Sequence, residues 1–340
     1  MNVSDGIIRY PREATVFAAT CAVIFCVFGV IGNLVTIVAL VRCPKLKMHA
    51  TTAFVISLCI SDFLFCAVNL PLTAARYIYE KWMFGTLLCK LFPVLFYGNV
   101  AGSLLNMVAI TINRYVLITL YDYYSKLYSN LSIGLQLLCT WGMAFLIMVP
   151  PLLGIWGQLG LDPTTFSCTI LEKDGKSPKK TIFIFGIGFP CLVIIIAYSC
   201  IYWKVRSTKL RLRSHEPITK HRTSKRERDD HRLTKLMAVI FMCFLFCFLP
   251  LMIVNVFDEK VSYPELHVLA SILAWASSVI NPFIYAATNK QYRSAYKKLL
   301  TIVRSSMPSG ADSMPSNSLK TKQEKNLSVS YRQKGSSSVL

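Results

Sequence analysis

Two ionisable residues stand where an apolar chain does not readily place them. Asp62 is the one acid deep within an apolar run, SLCISDFLF at 57–65. Arg114 ends another, which starts at Cys89, is almost uncharged, and closes on Asn113-Arg114-Tyr115. Burying an isolated carboxylate costs on the order of several kcal/mol, so an acid in such a run is by default an ion ligand, a proton carrier or a relay. The plainer alternative is a protonated carboxyl bonded to a neighbour. Ser103, Ser277 and Asn281 are suitable polar partners, and with Asp62 they would suit a small hard cation, best Na⁺. Cys89 and Arg114 also need partners. Cys168 and the acidic pair Asp229-Asp230 are the candidates.

The elements that hold these residues must cross a membrane. Of the 340 residues, 54% are hydrophobic and 16% charged, and the mean hydropathy is +0.48, which excludes an ordinary soluble domain. About 20 apolar residues at roughly 1.5 Å each cover a hydrocarbon core of about 30 Å. Seven stretches qualify, at 14–41, 50–76, 87–118, 131–153, 181–206, 233–257 and 264–288. Each is expected to be a helix, because lipid offers the backbone no partners and alternating barrel strands are missing. The run from Ala14 is too long for the core of a signal peptide.

Lys and Arg set the orientation. Arg42, Lys45 and Lys47 follow the first span, 206–235 holds eleven Lys/Arg against four acids, and 289–340 holds ten against two. With seven spans these segments share one side, which the positive-inside rule makes the cytoplasm and which puts the N-terminus outside. The loop 154–180 runs against the rule but is outvoted. The net charge of +20 is therefore a membrane-surface signal and not a nucleic-acid face. Of the sequons at Asn2, Asn130 and Asn326, only Asn2 falls outside and is open to glycosylation. Ten of the twelve cysteines lie in spans or at their inner ends; Cys89 and Cys168 alone reach the oxidising side, where a bond would tie the second outer loop over the third helix.

Prolines mark four spans, Pro150-Pro151, Pro190, Pro250 and Pro282, and each allows a kink. Together with a buried acid they suggest a bundle that changes shape. A transporter or channel is the rival class, but it would need repeats or a more polar midplane. Enzyme motifs are missing: DGKSP lacks the upstream glycine of a P-loop, and there is no H-E-x-x-H.

Gly32-Asn33, Leu58 with Asp62, Cys89, Asn113-Arg114-Tyr115, Trp141, Pro190 with Tyr198, Cys247-Phe248-Leu249-Pro250 and Asn281-Pro282-Phe283-Ile284-Tyr285 together resemble the rhodopsin-like (class A) G-protein-coupled receptors. The resemblance covers all seven spans and a following basic amphipathic helix (Tyr292, Arg293, Tyr296, Lys297). It implies an all-α, seven-transmembrane helix bundle at the plasma membrane: an extracellular N-terminus over 1–13, the receptor domain over 14–304 and a disordered cytoplasmic tail over 305–340. YDYYSKLYS, PPLLGIWGQLG, FSCTILEKDGKS and GFPCLVIIIAYSCIYWKV are more narrowly similar to the arthropod trapped in endoderm and moody receptors, and Asn113-Arg114-Tyr115 also to melatonin receptors. That likeness implies guided cell migration or a glial barrier as the setting.

The resemblance also implies roles. Asn113, Arg114, Tyr115, Tyr198, Asp230 and Tyr285 would couple to a heterotrimeric G protein, and Phe96, Tyr97, Val100, Phe248, Asn255, His267 and Trp275 would line a ligand pocket. Asn113 replaces the family's acid beside the arginine, so Arg114 is expected to lean on Asp230, with one restraint fewer at rest. Phe96 stands where amine receptors carry an aspartate, and the lining is expected to be aromatic with few charges, suiting a lipid-like ligand and no classical amine. Trp275 stands where an opsin needs its lysine. The Ser-rich tail is expected to take a kinase and arrestin, and Ser338-Val339-Leu340 resembles a PDZ ligand.

Overall fold

Every apolar stretch is helical, since a backbone in hydrocarbon must pair within its own segment. The computed structural model describes residues 10–47, 49–215, 225–258 and 261–306. Its helices are α1 (Arg12–Val41), α2 (Ala50–Tyr79), α3 (Gly85–Thr119), α4 (Asn130–Leu146), α5 (Lys179–Thr208, with helix continuing to His215), α6 (Lys225–Phe257), α7 (Pro264–Thr288) and α8 (Lys290–Ser306). Six of the first seven are long and apolar enough to cross a membrane. The exception, α4, has 17 residues and is extended by a helical turn at Val149–Leu152, where Pro150 and Pro151 end the regular ladder.

The first helix packs as membrane helices do, with small and polar groups turned inward and large apolar ones outward. On α1, Ala18, Ala22, Asn33 and Thr36 are buried, while Phe17, Val27, Phe28 and Ile31 are exposed. Close approach depends on small residues: a Cβ on Gly29 would lie 2.3 Å from Cys66 Sγ, so α1 and α2 could not keep their spacing with any larger residue there. The Asn33 amide donates to the Ser278 carbonyl at 2.9 Å and fixes α1 to α7.

The prolines reach further than the four expected spans. Pro71 lies in α2 and Pro93 inside α3, so six spans carry one. Two of them explain the irregular helix. A proline ring collides with the carbonyl four residues earlier, Ala67 for Pro71 and Gly186 for Pro190. Both carbonyls lie in π turns, Phe65–Asn69 and Ile184–Gly188, where the widened ladder relieves the collision.

Between α4 and α5 the chain forms a hairpin of β1 (Gln158–Asp162) and β2 (Ser167–Leu171), antiparallel with Leu161 opposite Cys168. It adds a strand pair to an otherwise helical fold. A Cys89–Cys168 disulfide pins β2 to the start of α3, as the sidedness of the two cysteines implied. At the other end of the bundle α8 turns away from α7. Its apolar side is held by Tyr292 stacked on Tyr285 at 5.0 Å and by the Tyr296 hydroxyl, 2.9 Å from that of Thr36. Asn2, the tail serines from Ser309 onward and Ser338-Val339-Leu340 lie outside the described residues, while Ser305 and Ser306 fall in the last turn of α8.

Candidate ligand cavity and switch region

Three places hold the chemistry, and α3 passes through all of them. At the end remote from the disulfide, the Arg114 guanidinium is 2% exposed. Nη1 of Arg114 lies 3.3 Å from Asp230 Oδ1 on α6, an ion pair between a buried arginine and a half-buried carboxylate. Nη2 donates to the Thr51 hydroxyl at the start of α2. Thr51 in turn donates to Asn113 Oδ1 at 2.5 Å, and Asn113 Nδ2 donates to the Tyr124 hydroxyl at 3.4 Å. A short helix, Tyr121–Leu127, presents Tyr124. Nearby, the hydroxyls of Tyr198 and Tyr285 are buried without a hydrogen-bond partner among the described residues. Tyr115 follows Arg114 on the same helix but is not drawn into this set.

Midway along α3 is the polar core. Asp62 is 1% exposed; Oδ1 accepts from Ser103 Oγ at 2.8 Å and Oδ2 from Asn281 Nδ2 at 2.8 Å. Ser61 is 3.1 Å from Ser103 and donates to the Asn99 carbonyl. Ser277 does not join them: its hydroxyl turns back to the Ala274 carbonyl at 2.7 Å, and Ser278, one residue on, takes the place beside Asp62. A helix advances about 100° per residue, so an error of one position turns a side chain to another face. The side-chain oxygens of Asn99 and Asn106 are buried without partners among the described residues, one turn either side of Ser103. Asn281 turns a nitrogen to Asp62, but the oxygens of Asp62 and Ser103, with those of Asn99 and Asn106 near by, are of the type that a hard monovalent cation takes. Asp62 and Ser103 would hold it, and its charge would balance the buried carboxylate.

Under the hairpin lies a cavity of about 130 Å³. Phe92, Phe96, Tyr97, Phe183 and Leu251 form its apolar wall, while Arg76, Asp162, Lys179, Asn255 and His267 supply polar groups. Tyr97 is tied to β2 by a 3.2 Å contact between its hydroxyl and that of Thr169. Asp162 caps the turn after β1, accepting from Thr164 N at 2.9 Å and Thr164 Oγ1 at 2.6 Å. His267 Nε2 is 3.1 Å from Asp258, beyond the end of α6. The Ser262 amide, followed by that of Tyr263, holds the Asp258 carboxyl down at about 2.

Sequence and fold comparisons agree with this layout. The 7 transmembrane receptor (rhodopsin family) profile matches residues 32–285. The chain belongs to the rhodopsin family of seven-transmembrane receptors. It is 53% identical over 313 residues to Protein trapped in endoderm-1 of Drosophila melanogaster, covering 87% of this chain and 80% of that one. It is 34% identical to the G-protein coupled receptor moody of the same species, covering 86% of this chain and about half (52%) of the longer relative, and 30% identical to Melatonin receptor type 1C of Xenopus laevis, covering 87% of this chain and 72% of that one. The fold matches squid rhodopsin with a TM-score of 0.76 at 24% identity, covering 87% of each chain. The protein is thus a multi-pass membrane receptor and not an enzyme, and the transporter alternative is not favoured.

As a receptor of this family it departs from the expected lining. Phe96, Tyr97, Asn255 and His267 line the cavity; Val100 faces a smaller apolar void of about 30 Å³ between α3 and α5. Phe248 and Trp275 do not reach it. Phe248 stacks on Phe244 at 4.4 Å, and Trp275, 1% exposed, packs against Tyr77. A weakly charged lining is also corrected, because Arg76 on α2 and Lys179 on α5 join it. An arginine near a span end reads as one reaching for the lipid headgroups, so only the third dimension shows that it turns inward. The Thr51 hydroxyl was likewise missed, and it gives Arg114 a contact on α2 besides Asp230 on α6.

Proposed function

We propose that the chain is a plasma-membrane G-protein-coupled receptor, N-terminus outside and C-terminus in the cytoplasm, that converts ligand binding in the Arg76 cavity into nucleotide exchange on a heterotrimeric G protein. The Arg114–Asp230 pair carries this reading. It ties α3 to α6 at the end opposite the cavity, so a shift of α6 against α3 breaks it and frees Arg114 for a partner. Lys204, Arg206 and Lys235, with Lys290, Arg293 and Lys297 on α8, are exposed and supply positive charge for that partner. Phe96 in place of a carboxylate, with Arg76 facing the same space, disfavours a classical amine.

Likeness to trapped in endoderm-1 and moody supports guided cell migration or a glial barrier as the setting, and the Ser-rich tail is offered to a kinase, arrestin or a PDZ protein. Na⁺ at Asp62 would favour the resting bundle. Purified receptor with a promiscuous G protein provides the test. Arg114→Ala abolishes exchange while the folded receptor remains; exchange unchanged in that variant overturns the proposal.

A further inference from the structure

Arg76 is an unusual residue to find inside this cavity. Its side chain is 9% exposed, and Nε is buried with no hydrogen-bond partner among the described residues. Nη1 donates to a backbone carbonyl, that of Thr165 in the hairpin turn, at 2.9 Å, and the guanidinium lies 4.2 Å from the centre of the Tyr77 ring. No carboxylate pairs with it among the described residues. Asp162 lines the same cavity, but both its oxygens accept from the turn: Oδ1 from Thr164, Oδ2 from Thr165 Oγ1 at 3.1 Å. Asp258 is occupied by Ser262, Tyr263 and His267. A buried guanidinium without a counter-ion is costly, and arginine's planar fork of donors matches carboxylate and phosphate oxygens.

We propose that the cavity takes an organic anion whose carboxylate or phosphate pairs with Arg76, with a compact apolar body seated on Phe92 and Phe96. This deepens the ligand-receptor function proposed above and rests on it. The size supports a small body: about 130 Å³ is close to the roughly 150 Å³ of a cavity that admits benzene, and well under the ~300–1,000 Å³ of drug-sized pockets. Lys179 lines the same cavity and adds positive charge to it. The Thr165 carbonyl and the Tyr77 ring hold the guanidinium in place, so little side-chain entropy is lost when the anion arrives.

The test uses full-length receptor in nanodiscs and three ring-sized probes, benzoate, phenyl phosphate and neutral benzamide, read as the concentration dependence of the thermal unfolding shift. One or both anions stabilise the receptor saturably and benzamide does not; the stronger of the two tells carboxylate from phosphate recognition. Arg76→Gln weakens the anion by about tenfold or more, and Arg76→Lys, which keeps the charge but not the fork, by less. Should Arg76→Gln not fold, Arg76→Lys and the comparison of anion with benzamide on the unaltered receptor still decide. No saturable shift with either anion, an equal shift with benzamide, or undiminished binding by a folded Arg76→Gln overturns the proposal. Nucleotide exchange by the unaltered receptor without any probe, lost in Arg114→Ala, reports the receptor function separately.

Discussion

Arg114 is restrained by two neighbours of different kinds. Asp230 contributes charge, and Thr51 contributes a hydroxyl that Asn113 orients by accepting its hydrogen bond. Removing the hydroxyl with Thr51→Val leaves Nη2 of Arg114, besides its already unpartnered Nε, without an acceptor among the described residues, at about 1–3 kcal/mol, so basal exchange is expected to rise several-fold. Asn113→Asp keeps an acceptor for Thr51 and adds a carboxylate beside Arg114, and it lowers basal exchange. A nucleotide-exchange assay without agonist checks both directions. Tyr198→Phe and Tyr285→Phe remove buried hydroxyls that have no well-formed hydrogen bond among the described residues, so the unfolding temperature is expected to stay level or rise in a thermal unfolding scan. Single-residue chemistry was legible where an uncommon type met an apolar run, as at Asp62 and Arg114. It was not legible for Thr51, an ordinary hydroxyl 63 positions from Arg114 whose place follows only from how α2 lies against α3.

The helices were readable because hydropathy over some 20 residues outweighs any local propensity in a membrane. The hairpin was not, since Gln158–Asp162 and Ser167–Leu171 are too short to signal strands and are ordered by the disulfide and the Asp162 turn. Cys89→Ser or Cys168→Ser is expected to remove about 2–4 kcal/mol and to displace the Thr165 carbonyl from Arg76. Lowered surface expression and lowered unfolding temperature are the measurements. Beyond α6, the Asp258 carboxyl titrates at about 2 when folded against roughly 4 in an unfolded chain, so it stabilises the folded loop above about pH 4. That stabilisation is lost as pH falls from about 4 towards 2, when the unfolded chain takes up the proton first. Asp258→Asn, followed by hydrogen exchange at Ser262 and Tyr263, should show faster opening already at neutral pH.

Across the whole molecule, α3 connects the cavity wall at Phe96, the polar core at Ser103 and the ion pair at Arg114. Asp62 bonds α3 through Ser103 and α7 through Asn281, so a cation there would hold the two helices at one spacing. Asp62→Asn keeps the shape and removes the charge, and sodium should then no longer stabilise the receptor in a thermal unfolding titration. A sodium response retained in that variant would exclude Asp62 as the ion's ligand. The Arg114–Asp230 pair is expected to hold the resting state. Such a pair biases the equilibrium by roughly 1–3 kcal/mol, about five- to hundred-fold in population. The most direct measurement is agonist-free nucleotide exchange on a reconstituted G protein by Asp230→Ala beside the unaltered receptor. The expected result is exchange raised several-fold or more; exchange unchanged or lowered, with the receptor folded, would contradict it.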